Sequence, residues 1–390
     1  MLLRNTVITR QRPELDPLGA RMGSFLLLPK IALGLEYDDN IFAGDIDPQS
    51  DFIAFLMPSI GLKSDWNRHA LGIYADLKIG RYSDFTNENY DDYSIMTEGR
   101  LDITGRSTLS GALSYAQLHE SRTSPDDRRG ITPTEYSETY GTFSYVHHYS
   151  RLLMRLSGGQ QQLDYKNTPT LTGTIYNDDR DRVISFLTLW LGYNDPGYQV
   201  FMRGRTNSRI YDQRFDQYGF ARSSFGYELV AGTAIAFSAL TFAEVFGGVL
   251  GQNYDDPRFD EIREPTFGGK ITWNLSALTS LTGVAERIID ETTFQDAAGI
   301  LVNRFNVRVD HELLRNLLLY GNVSARKEDY QGIDRVDDVS GIDISAKYML
   351  SRNFYVSFRY DYERRNTKTT TSGARNYKIN TYTISIESQL

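Results

Sequence analysis

The residues that could carry catalysis are few. The five histidines are His69, His119, His147, His148 and His311. A hydrolase would need one of them oriented by a carboxylate or amide and facing a serine. His119-Glu120-Ser121 brings the three residue types together. Adjacent residues on a strand point to opposite faces, however, so such a run cannot assemble a triad by itself. No His-x-x-x-His pair, glycine-rich phosphate loop or Gly-x-Ser-x-Gly elbow is present. The absence of cysteine removes thiolate nucleophiles, thiolate zinc sites and disulfides. The residues point away from an enzyme and toward no cofactor and no metal site; the five histidines read as solvated or interfacial. Acidic pairs recur at Asp38-Asp39, Asp91-Asp92, Asp178-Asp179, Asp255-Asp256 and Asp337-Asp338. They could hold divalent cations beside lipopolysaccharide phosphates. The simpler reading is turn-forming aspartates at strand ends.

A larger set of ions recurs at alternate positions. The basic members are Lys78, Arg100, Arg155, Arg203, Arg205, Lys270, Arg304, Arg308, Arg326, Lys347 and Arg359. The acidic members are Asp76, Glu98, Asp102, Asp310, Glu328, Asp343, Asp361 and Glu363. Placed around a hydrated lumen, rings of Arg and Lys favour anions. The structural alternative is pairing of opposite charges across strands.

The elements that must position these ions are strands. Leu71, Ile73, Ala75, Leu77 and Ile79 are separated by Gly72, Tyr74, Asp76 and Lys78. Ile342, Ile344, Ala346 and Tyr348 alternate with Asp343, Ser345 and Lys347, and Phe354, Val356, Phe358, Tyr360 and Tyr362 alternate with Ser357, Arg359 and Asp361. Strict alternation means one apolar and one polar face. The segments run about 10–15 residues, against about 5–6 for globular strands and about 9–11 for a tilted strand crossing hydrocarbon. No stretch of about 18 clean apolar residues suggests a membrane helix; Val230–Leu250, the richest, carries Glu244 and reads as two strands.

Short and long connections alternate. The short ones fall at residues 65–69, 104–107, 148–151, 194–197, 237–240, 275–280, 314–316 and 351–353. The long polar ones fall at 40–50, 83–89, 121–134, 166–179, 212–216, 256–264, 295–298, 331–336 and 365–376. Such alternation belongs to membrane barrels, with short periplasmic turns and longer extracellular loops. The fold expected is an all-β, single transmembrane antiparallel β-barrel of about eighteen strands. Sixteen remain open where alternation blurs, as in residues 280–294. Residues 1–22, with Pro13, Pro17 and Gly19, read as an N-terminal periplasmic arm, and residues 23–390 as the barrel. Lipid offers no hydrogen bonds, so strands span only as a closed sheet, apolar outside and wet inside. Many tyrosines, among them Tyr37, Tyr90, Tyr136, Tyr165, Tyr211, Tyr254 and Tyr330, stand near strand ends, as interfacial girdles do.

Composition agrees. The 390 residues carry a net charge of -8, with scattered Lys and Arg, which argues against a nucleic-acid partner. Mean hydropathy is -0.42, low for a membrane protein unless the polar half of every strand faces water. No signal-peptide h-region opens the chain; either the start is truncated or this is a mature form.

The run Arg12-Pro13-Glu14-Leu15-Asp16-Pro17-Leu18-Gly19-Ala20-Arg21-Met22-Gly23-Ser24-Phe25 resembles the start of the bacterial β-barrel porin 2 family. Tyr37-Asp38-Asp39-Asn40-Ile41-Phe42, Tyr254-Asp255-Asp256-Pro257-Arg258-Phe259 and Asp310-His311-Glu312-Leu313-Leu314-Arg315-Asn316 are also similar to it. The resemblance covers essentially the whole chain. It implies an outer-membrane pore, with exopolysaccharide or capsule export as the role and polysaccharide, export machinery and outer-membrane lipid as partners. The alternative is a general diffusion porin for small hydrophilic solutes; a hydrolase or an adhesion barrel ranks lower. The family brings no catalytic residues.

Overall fold

A computed structural model describes residues 6–369 and 375–390. Eighteen long antiparallel strands, each the hydrogen-bonded neighbour of the next, form one closed sheet. They are β1 Phe25–Asp38, β2 Asp51–Ser64, β3 Ala70–Tyr82, β4 Tyr90–Thr104, β5 Ser107–His119 and β6 Glu135–Tyr149. Then come β7 Leu152–Tyr165, β8 Arg182–Asp195, β9 Tyr198–Tyr211, β10 Ser224–Ala236, β11 Thr241–Tyr254 and β12 Ile262–Ser276. The last are β13 Thr279–Asp290, β14 Ile300–Leu314, β15 Leu317–Tyr330, β16 Arg335–Met349, β17 Phe354–Thr369 and β18 Tyr377–Gln389. Each is long enough to cross the hydrocarbon.

The circle closes where β18 pairs with β1, from Lys30↔Gln389 to Asp38↔Thr381. A three-residue strand, Ala20–Met22, pairs with Phe25–Leu27 and covers the rest of that edge of β1. Pro29 lies where one partner hands over to the other; Leu390 donates to its carbonyl. Proline has no N–H to leave unpaired at such a junction.

Alternation fixes the two faces. On β8, Leu187, Leu189 and Leu191 are exposed; on β1, Ile31, Leu33 and Leu35; on β16, Ile342 and Ile344; on β18, Tyr382, Ile384 and Ile386. These aliphatics form an outer apolar surface, as a lipid-facing wall requires. The blurred segment 280–294 resolves as β13 plus a loop. Its alternation fails because Ile288, on the inward register, packs against a buried cluster of Ala297, Ile300, Val302 and Tyr330 instead of facing water. The Val230–Leu250 stretch is two strands, β10 and β11. Gly248 permits their close contact: a Cβ there would lie 2.0 Å from the Leu229 carbonyl oxygen.

Connection lengths follow the expected rhythm, with the largest difference in one loop. The loop expected at 212–216 extends to residue 223. Asp216 turns back into it, accepting a 2.5 Å hydrogen bond from Arg222. Both side chains are buried, so these residues belong to a folded plug of chain rather than to a strand. In the last long loop, residues 370–374 lie outside the described residues.

Candidate functional site

Fourteen of the inward ions named from the sequence are Lys78, Arg100, Arg155, Arg203, Arg205, Arg304, Arg308, Arg326, Lys347, Arg359, Asp76, Glu98, Asp343 and Asp361. All occupy strand positions opposite in parity to the exposed aliphatics. The register then divides them between two walls.

Along β14 to β18 the cations are matched by acids. Arg304 reaches Asp290 at 2.6 Å and Glu286 at 3.6 Å. Arg308 pairs with Asp310 at 2.8 Å. Arg326 lies 3.5 Å from Glu328 and 3.9 Å from Glu363. Arg359 sits between Asp343 and Asp361, 2.7 Å from each. Lys347 lies 3.5 Å from Glu387. This wall carries many ions and little free charge.

Along β7 to β10 the arrangement differs. Trp190 on β8 stands opposite Arg155 on β7 and Arg203 on β9. One row further out, Arg205 is opposite Thr188. Arg203 hydrogen-bonds Glu228 at 2.5 Å and lies 4.6 Å from the Phe246 ring centre. Arg155 and Arg205 have no carboxylate within salt-bridge distance among the described residues; each rests on an aromatic face, Trp190 at 5.8 Å and Phe186 at 5.0 Å. A guanidinium over a ring is attracted to its quadrupole but keeps its full charge. Three arginines therefore share one acid on this wall.

Further round, Tyr74 donates to Glu98 at 2.8 Å and Arg100 pairs with Asp102 at 3.2 Å. Lys78 lies over Tyr90. Lys270 faces Glu244 across the β11–β12 ladder. A cavity of about 660 Å³ opens here, lined by Lys63, Tyr74, Glu98, Arg100, Ser110 and Phe186.

The loops at the long-loop end fold over this interior. Glu120 and Arg180 form a buried pair at 2.6 Å. Arg122 joins Glu88 at 2.6 Å and Asp127 at 3.3 Å. Asp126, in the same loop, accepts from the Thr292 hydroxyl at 2.8 Å and the Thr293 N–H at 3.1 Å. Arg365 on β17 donates to the Thr123 carbonyl. The loop between β5 and β6 thus reaches the loop between β13 and β14, on the far side of the ring, and crosses the outer opening. Sequence gave no sign of this, because the contacts join residues more than 150 positions apart.

The histidines do not assemble a triad. His147 Nδ1 lies 2.7 Å from Ser107 Oγ, but its other neighbours are Tyr145 and Tyr149, with no carboxylate. His119 contacts Asp92 at 2.9 Å and stacks on Tyr90, with no serine. His311 lies 2.9 Å from Thr279 Oγ1. The acidic pairs are engaged separately: Asp39 with Asn380, Asp92 with His119, Asp179 with Arg128, Asp256 with Arg258 and Asp337 with Arg335. Arg258 and two backbone N–H groups hold the Asp256 carboxyl well below the usual carboxylate range.

The barrel resembles outer-membrane proteins of Pseudomonas aeruginosa. OccK2 (OpdF) superimposes with a TM-score of 0.52 at 9% identity, covering 94% of this chain and 97% of that one. OccK9 (OpdG) gives 0.50 at 12%, covering 93% and 98%. A mutant of the ferric enterobactin receptor PfeA gives 0.50 at 6%, covering 93% and 80%. At such identities the likeness is one of fold. No curated protein matches the sequence. Residues 12–390 match the family model described as "Putative beta-barrel porin 2", and with the closed eighteen-strand sheet this places the chain in that porin family.

Proposed function

We propose that this chain is a passive outer-membrane channel for small hydrophilic solutes, with a preference for anions. The observation that carries the reading is the inward face: a closed sheet presents ions and hydroxyls inside, and several of its cations, Arg155 and Arg205 among them, rest on aromatic rings with no described carboxylate within salt-bridge distance. A fixed positive charge beside a narrow aqueous path raises the local anion concentration. OccK2, a fold neighbour, has been crystallised with glucuronate, an organic anion, which accords with this reading. Exported polysaccharide, the cargo implied by the family resemblance, fits less well, because the loop between β5 and β6 crosses the outer opening and residues 6–19 occupy one side of the other, both of which narrow the way for a polymer.

Purified protein in liposomes tests the proposal. Vesicles should swell in isosmotic arabinose and, faster, in a small sugar acid. Liposomes that stay impermeable to both would overturn it.

A further inference from the structure

Residues 6–19 form no part of the barrel wall, yet several are buried. Their partners are residues of the barrel's short-turn end that carry inward parity. The Val7 N–H donates to Ser280 Oγ at 3.1 Å. Arg12, 5% exposed, pairs with Glu312, 4% exposed, at 2.8 Å. Arg10 reaches the same carboxylate at 3.4 Å, and Arg315 approaches it at 3.7 Å. Tyr355 on β17 donates to the Leu15 carbonyl at 2.7 Å, and Arg352 to that of Pro13. The Gly19 N–H donates to Leu390, beside the β1–β18 seam. From that seam to β13 the segment passes six consecutive strands of the ring. Its contacts follow the ring in order, from Ser280 on β13 through Glu312 and Tyr355 to Leu390, so it lies against the inner side of the mouth over six of the eighteen strands and narrows it there.

We propose that residues 6–19 are a displaceable partial plug on one side of the short-turn mouth, latched by Glu312, and that their release widens the path. The proposal rests on the channel reading above. The chemistry of the latch is one carboxylate shared by three guanidiniums, with a terminal anchor at Ser280. A charge-assisted bond of this kind is strong only while every partner is present. Arg12 Nε is buried without a hydrogen-bond partner, so the seated state leaves one polar group unsatisfied. The segment is held by a handful of polar contacts, most of them to loop and strand ends, and by no continuous ladder before Ala20. Such a segment opens locally without unfolding the sheet.

Three variants test this in planar bilayers. Deletion of residues 1–18 leaves Gly19 and its contact with Leu390 intact. Glu312→Gln keeps shape but leaves Arg10, Arg12 and Arg315 without their shared acid. Val7→Cys with Ser280→Cys places two thiols at the anchor of a chain that has no other cysteine. The deletion should raise single-channel conductance at least twofold. Glu312→Gln should show frequent transitions between the unmodified and the enlarged level. The oxidised double-cysteine protein should remain at the lower level and recover its fluctuations on reduction. If the unmodified protein conducts and the deletion and Glu312→Gln conduct identically to it, the plug is overturned and the channel stands. If none of the proteins conducts, the channel reading and the plug both fall.

Discussion

Arg155 lies with its guanidinium carbon 5.8 Å from the centre of the Trp190 ring, directly across the β7–β8 ladder and beyond reach of any described carboxylate. Arg359, an inward arginine on the opposite wall, has two carboxylates at 2.7 Å. Residue type is the same; the charge available to a passing solute is not.

Ion selectivity should follow that difference. One unit charge near the path is worth on the order of 1 kcal/mol in a hydrated lumen, or about fivefold in local anion concentration. Replacing Arg155 and Arg205 by Gln should move the reversal potential in a salt gradient toward cations by an amount of this order. Arg359→Gln should go further, because it bares Asp343 and Asp361. An unchanged potential in the Arg155 and Arg205 variant would show that neither residue lines the conducting path.

The assignment of faces can be tested one residue apart on β16. Ile344 is exposed among the outer aliphatics, and Ser345 is its inward neighbour. Arginine at position 344 should cost about 2–4 kcal/mol near the bilayer midplane. Arginine at 345, between the strand positions of Asp343 and Lys347, should cost little. Urea unfolding of the protein in lipid vesicles reads both; equal losses would contradict the faces assigned here.

Asp181, at the loop end just before β8, offers a pH test. Burial raises its carboxyl to about 6, against the opposing effect of the Tyr165 N–H that it accepts. The folded chain thus holds this proton more tightly than the unfolded chain. The associated stability is full below the ordinary carboxylate range and is lost as pH rises through about 6. Allowing for screening by water, the loss is on the order of 1–2 kcal/mol. Asp181→Asn keeps an acceptor for Tyr165 and should flatten this part of the stability curve, with the largest gain near neutral pH. A curve indistinguishable from that of the unmodified protein would remove Asp181 as its source.

The architecture was legible wherever a strand has hydrocarbon on one side and water on the other. Phe354 to Tyr362 and Ile342 to Tyr348 alternate because their outward residues are apolar while inward ones such as Asp343, Lys347, Arg359 and Asp361 are charged. Legibility failed where the inner face is dry. Ile288 packs under a loop, and the loop read at 212–216 shows its full extent to residue 223 only once Arg222 is seen folded back on Asp216. The ions show the same limit. Parity places Arg205 and Arg308 on the inward face, but only register and rotamer show that Arg308 spends its charge on Asp310 while Arg205 rests on Phe186. The loop across the outer opening and the segment inside the other mouth were invisible for a further reason: Asp126 and Thr292 are 166 positions apart, Arg12 and Glu312 are 300, and no local pattern announces contacts of that span.

The seam beside Pro29 bears on how such a molecule comes into being. Its second edge is supplied by the final strand, so the sheet stays unsealed until the carboxyl end of the chain has arrived. Until then the hairpin of Ala20–Met22 on Phe25–Leu27 shields one short part of β1 and leaves Lys30 to Asp38 bare. An unpaired border of that length invites neighbouring chains to adhere. Biogenesis of this protein is therefore most exposed to error in the interval between the synthesis of β1 and the docking of β18, and whatever escorts it to the membrane must mask that border throughout.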